Sequence, residues 1–193
     1  MTDVLRGRPR RLASRQPRPE RPRLTDRAPK SAPSAVDPTL FRDGMSRVPG
    51  AVHLVTTDGP EGGGGFTATA VTSVADTPPT LLVCANGANR SCGRLIANGV
   101  FCVNTLSHAD EALAGIFAGR TGVYGNDRFG LGSWTRIVTG APALETAVVG
   151  FDCRVIEARP IATHLVVFGE VVGVRLGPPG SALVYCQRRF QGI

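Results

Sequence analysis

No run in this 193-residue chain approaches the roughly 20 consecutive apolar residues that a membrane-spanning helix needs. Histidine is scarce. His53, His108 and His164 stand at no ligand spacing from one another or from the cysteines, so no metal site is expected. The five cysteines (Cys84, Cys92, Cys102, Cys153 and Cys186) are odd in number and form no CxxC pair. Arg10-Arg11 is not followed by the apolar run of an export signal, so reduced thiols in a cytoplasmic protein are expected. No GxSxG elbow is present. The Gly62–Gly65 run is followed by no GK[ST] and by strand-like rather than helix-like sequence, which excludes a P-loop and a Rossmann fingerprint. There is no internal repeat. A chain so poor in acid–base constellations suits a reaction whose chemistry a cofactor carries.

Charge is unevenly placed. The formal net charge is +7, but residues 1–30 hold ten of the 22 Lys/Arg and three of the 15 Asp/Glu, leaving twelve of each sign in the rest. The basicity therefore belongs to an Arg/Pro-rich extension over residues 1–35, and the domain itself (residues 36–193) is neutral. That distribution argues against a nucleic-acid partner for the domain. The extension has too few large apolar residues to offset the entropy of ordering, so it is expected to be disordered, with an electrostatic contact to an acidic partner or nucleic acid as the functional alternative.

Along the domain, DPTLFRDGMSRV (37–48) predicts a short helix capped by Asp37 with Pro38 in its first turn. AVHLVTT (51–57) and GFTATAVTSV (65–74) flank a glycine-rich turn and predict a hairpin. Further strands are expected at 79–86, 100–106, 133–139, 145–161, 163–176 and 183–190. Short helices are expected at 91–99, capped by Ser91, and at 108–119, with a polar loop over 120–133. Long strands apolar on both faces, not alternating regularly with helices, predict an all-β-dominated closed barrel packed against a second surface.

Two stretches invite a ligand. Small residues and hydroxyls in GFTATAVTSV let a backbone approach a planar group closely. The segment Asn86 to Cys92 joins a strand end to a helix start with amides, a hydroxyl and a cation; Arg90, Ser91 and the helix N–H groups suit a phosphate, although Ser91 reads equally as a simple cap. His164 lies in the apolar THLVVFGEV and reads either as a hydrogen-bonded core residue or as a site residue.

Taken in order, FRDGMSRVPGAVHLVTT, GFTATAVTSVADTPPTLLVCAN, the Ser91 region, GVFCVNTL, FAGR (117–120), DRF (127–129), APALETAVVGFDCRV, THLVVFGEV and VYCQRRF resemble the short-chain NAD(P)H:flavin oxidoreductases over about residues 40–190. The resemblance implies a homodimeric, Greek-key, FMN-binding split β-barrel. It implies that Thr67, Ala68, Thr69, Ala70 and Ser73 line the isoalloxazine and ribityl chain. Asn86, Asn89, Arg90, Ser91 and Cys92 would hold the ribityl chain and phosphate, with Phe117, Ala118, Gly119 and Arg120 at a helix end near the phosphate or adenylate. His164 and the closing Arg189-Phe190 pair would meet the nicotinamide, His164 as the catalytic residue. The chain departs from the family where Ala162-Thr163 replaces Gly-Asp, where Gln187 replaces a basic residue and where Cys92 replaces a hydroxyl residue. The implied cofactor is FMN or FAD, the co-substrate NADH or NADPH, and the partner a flavin-dependent monooxygenase. The rival readings are a reductase that keeps its flavin and reduces another substrate, such as a corrin cobalt centre, and a non-catalytic flavin-binding module.

Overall fold

The structure, a computed structural model, describes residues 36–193; the extension expected to be disordered lies outside the described residues. The first helix, α1 (Pro38–Ser46), starts as its sequence dictates: the Asp37 carboxylate accepts from the backbone N–H groups of Thr39 and Leu40 at 2.7 and 3.0 Å. Those bonds hold the Asp37 carboxyl below its ordinary range. None of its residues is buried, and Leu40, Phe41 and Met45 face solvent.

The chain then enters β1 (Gly50–Ala51) and β2 (His53–Thr57), turns through the glycine-rich segment and returns as β3 (Gly64–Ala68). The expected hairpin forms, with His53 opposite Ala68 and Thr57 opposite Gly64. Next come β4 (Val71–Asp76), β5 (Pro79–Asn86), α2 (Arg90–Asn98), β6 (Val100–Thr105) and, after a 3-10 turn, α3 (Glu111–Phe117). The short β7 (Trp134–Arg136) and β8 (Pro142–Leu144) pair with each other, and β9 (Val149–Ile161) with β10 (His164–Leu176) forms a long hairpin. The chain closes through β11 (Leu183–Cys186) and β12 (Arg189–Gly192).

Seven strands form one antiparallel sheet in the order β3-β2-β6-β9-β10-β5-β4. β3 and β4 are neighbours in sequence but lie at opposite edges. Only Thr69 and Ala70 separate them, and the Ala70 carbonyl accepts from the Cys84 N–H at 2.9 Å. The sheet therefore curls until its two edges share a core. Phe66 and Ala68 from one edge and Leu81, Val83 and Ala85 from the other are buried in one cluster. The helix α2 packs along β2 and β3 and inserts Cys92 and Leu95 into that cluster. This is a split barrel, mostly strand with a few short helices, as the family resemblance implies; the two-sided apolar strands predict its barrel character alone.

Alternation in β2 explains the second layer. Val55 points into the barrel, whereas Leu54 packs outward against Leu113, Ala114, Phe117 and Leu183. Between the layers the fully buried Asn104 amide donates to the Leu54 carbonyl and accepts from the Leu144 N–H at 2.7 Å. Buried Asp152 likewise accepts from the N–H groups of Val138 and Thr139.

Several elements differ from the sequence expectation. The single strand over 65–74 is two strands, broken at Thr69-Ala70 by barrel closure. The single closing strand over 183–190 is a hairpin, because Gln187 and Arg188 adopt φ of 50° and 61°. The cap of α2 is Asn89 and not Ser91: the Asn89 side chain accepts from the Ser91 N–H at 2.9 Å, so the cap lies two residues earlier. The loop over 120–133 contains a 3-10 segment, Gly125–Leu131, and β8 is an additional short strand. Among the described residues no helix is long and apolar enough to cross a membrane. All five cysteines are unpaired.

Candidate functional site

Where β3 ends, the C-terminal end of α3 and the β11–β12 hairpin come together around a shallow recess of about 160 Å³. Thr67, Ala68 and Thr69 form one side, Ala118 and Arg120 another, and Tyr185 and Phe190 a third. The side chains have different duties. The Thr67 hydroxyl donates to the Ala114 carbonyl at 2.7 Å and so ties β3 to α3. Ala68 is buried on the barrel side, whereas Thr69 and Ala70 are exposed. Gly65 lets α3 approach: a Cβ there would lie 2.9 Å from the Phe117 ring. The Arg120 guanidinium lies over Tyr185 and Phe190, 5.9 and 5.4 Å from their centroids, and these two rings meet edge-on at 5.1 Å. Tyr185 is not evident as a site residue when 183–190 is read as one strand; as a hairpin, its register sets Tyr185 opposite Phe190.

A second group of residues lies where β5 ends and α2 begins. Asn86 lies two positions beyond Cys84, whose N–H holds the Ala70 carbonyl. Its side chain accepts from the Ala88 N–H at 2.9 Å, and its backbone carbonyl accepts from Asn89, which shapes the entry into α2. Ser91 is buried, yet its hydroxyl has no hydrogen-bond partner among the described residues. Arg90 is exposed and makes no ion pair there. His164 pairs directly with Asn86 across the β5–β10 ladder, and the Thr163 hydroxyl lies 3.0 Å from its Nδ1. It is exposed at a strand start and is not a core histidine.

Other expected residues do not line this recess with their side chains or lie outside it. Cys92 is fully buried in the barrel cluster, where burial raises its thiol pKa, so its sulfur faces the core. The Phe117 ring packs against Phe129 and Trp134, and Gly119 serves the end of α3 with φ of 75°. Arg189 is exposed at the start of β12, with a contact only to Gln187. Ser73 is separated from the Thr67–Ala70 group: it lines a different recess, of about 420 Å³, together with His53.

Two arginines near the site are structural. Arg94 donates to the Gly63 carbonyl at 2.6 Å. Arg128 donates to the Gly65 carbonyl at 3.1 Å and lies over the Phe117 ring. Burial, then the neighbouring Arg94 charge, lowers the Arg128 pKa.

Residues 45–193 match the family model described as the flavin reductase like domain. The chain is 49% identical over 158 residues to a protein of Methylorubrum populi named FMN reductase (NADH) RutF, covering 82% of this chain and 77% of that one. Among solved structures it resembles BorF, the flavin reductase component of a bacterial two-component tryptophan halogenase. The TM-score there is 0.75 at 28% identity, over 81% of this chain and 98% of that one. It also resembles the NADH:FAD oxidoreductase SgcE6 of Streptomyces globisporus C-1027, with TM-score 0.74 at 28% identity over 81% and 94% of the two chains.

Proposed function

The chain belongs to the flavin reductase like domain family, and on that premise we propose that it is an NADH-dependent flavin reductase acting on FMN. The observation that supports this best is the recess at the end of β3, where Thr67, Ala68 and Thr69 meet the Arg120 guanidinium stacked on Tyr185 and Phe190.

The residues present fit a flavin. Exposed Thr69 and Ala70 offer backbone and small side chains to a planar ring. The unpartnered Ser91 hydroxyl, the free Arg90 guanidinium and the first turn of α2 suit a phosphate. Asn86 and Asn89 shape that loop through their own backbone bonds. Arg120, held flat on Tyr185 and Phe190, is a preorganised cation for a second phosphate-bearing ligand, the nicotinamide nucleotide. When bound, the flavin supplies the hydride-accepting chemistry. The protein holds the two ring systems together so that transfer becomes a step between oriented partners. His164, paired with Asn86 and touched by Thr163, stands at the rim as a hydrogen-bonding group facing solvent.

We further propose that the reduced flavin passes to a separate oxygenase component, a reading favoured by the likeness to BorF. In the same reading residues 36–193 form the flavin domain, the protein works in the cytoplasm with its five thiols unpaired, and two copies associate.

The test is to follow NADH and NADPH oxidation by the purified full chain with and without FMN, FAD and riboflavin. Oxidation that depends on added FMN and prefers NADH supports the proposal. No flavin-dependent oxidation with any pair sinks it.

A further inference from the structure

The barrel has two ends. Next to one of them α2 inserts Cys92 and Leu95 into the core. The other holds the recess of about 420 Å³, walled by Val71, Leu81, Val103, Phe151, Val171 and Val174. Deep in this mouth His53 is only 8% exposed. Its Nδ1 lies 3.1 Å from the Thr105 hydroxyl, and this is its one side-chain hydrogen bond. No fully buried side-chain nitrogen or oxygen among the described residues lacks a partner. Nε2 therefore touches the open space of the mouth. Burial pushes the His53 pKa down to about 4, so the ring is neutral at physiological pH.

The lining contains no Lys or Arg, and Asp76 stands among its residues. A phosphate-bearing flavin or nicotinamide would meet no cation there. Apolar walls with one buried, neutral hydrogen-bonding group, at a volume within the usual range of ligand pockets, define a different chemistry. A hydroxyl can donate to or accept from Nε2, so it suits either tautomer of His53.

We propose that the barrel mouth is a second binding site, for an uncharged aromatic alcohol of one or two rings whose hydroxyl meets His53 Nε2. The site is separate from the flavin recess and does not depend on the flavin assignment.

The experiment uses the purified full chain, with 4-propylphenol as probe and propylbenzene as its hydroxyl-free counterpart, followed by calorimetry and protein NMR. The expected result is saturable binding of one probe per chain, undisturbed by excess FMN. Val174→Trp, at a half-exposed wall position, should abolish binding of both compounds while leaving flavin-dependent NADH oxidation unchanged. His53→Phe should weaken 4-propylphenol about two- to tenfold, as loss of one hydrogen bond requires, and spare propylbenzene. Four results would each overturn the proposal. They are no saturable binding, binding that survives Val174→Trp, displacement of the probe by FMN, and conversion of a dimer to a monomer by Val174→Trp. The last would show that a second copy of the chain covers the mouth.

Discussion

The recess at Thr69 and the barrel mouth are built from one short run of chain, β3 through β4, yet they hold opposite chemistry. Before the Thr69-Ala70 turn, Thr67 and Thr69 face Arg120 and the Tyr185–Phe190 pair. After it, Val71, Ser73 and Ala75 face Phe151, Val171 and His53. One recess is bordered by a cation and hydroxyls and is shallow. The other is larger, apolar and without cations. The difference comes from which neighbours each edge of the sheet acquires: α3 and the closing hairpin on one side, the interiors of β5, β6, β9 and β10 on the other. A strand's own side chains therefore do not decide what it binds.

The largest expected effect comes from the mouth, through His53. His53 has a folded pKa of about 4 against an ordinary value of 6.5. The unfolded chain thus binds the proton more readily. The stability His53 contributes is fully present above pH 6.5 and is lost as pH falls towards 4. The loss is on the order of 3 kcal/mol at the acid end. Urea titrations across that range should show the decline, and His53→Asn should flatten it; an unchanged slope in the variant would assign the decline to other groups.

A change inside the barrel should damage both regions alike. A Cβ at Gly169 would collide with the Phe101 ring. Gly169→Ala should therefore cost about 1–3 kcal/mol of stability by overpacking, read as a lower denaturation midpoint. Equal weakening of FMN-dependent activity and of 4-propylphenol binding would mark the barrel as their common frame.

Two smaller effects isolate the recess. Arg120→Ala removes a cation from two aromatic faces, an interaction worth about 0.5–2 kcal/mol. The KM for NADH should rise, with stability falling little and probe binding at the mouth unchanged. Ser91→Ala removes a hydroxyl that has no protein partner, so stability should move by less than about 0.5 kcal/mol. The KM for FMN should rise about two- to tenfold, as expected for one lost ligand hydrogen bond. A normal FMN KM in this variant would return Ser91 to a purely structural role.

Much of this comparison was legible in the sequence, and the misses have physical causes. The β2–β3 hairpin was readable because glycines mark its turn and apolar residues its strands. The β3–β4 break was not, because Thr69-Ala70 carries no Gly or Pro; closure of the barrel, a long-range event, sets it. The closing hairpin was hidden because Gln187 and Arg188 supply the positive φ that Gly or Asn usually signals. Asn89 and Ser91 are both good caps, and only the structure decides between them. In sequence Ser73 continues the hydroxyl row of Thr67 and Thr69; the turn at Thr69-Ala70 sets it in the other recess. His53 was overlooked, although alternation in AVHLVTT already sets it on the side of Val55, inside the barrel.

The two residues that join opposite edges of the sheet also bear on how the protein is made. The β2–β3 hairpin and the β9–β10 hairpin are local and can form early. The pairings of β2 with β6 and of β5 with β10 close long loops and are slow by comparison. The recess at Thr69 needs β3, α3 and the closing hairpin together, and the last of these begins only at Leu183. On this ordering a nascent or partly folded chain has no competent recess, and the ligand meets only molecules that have finished folding.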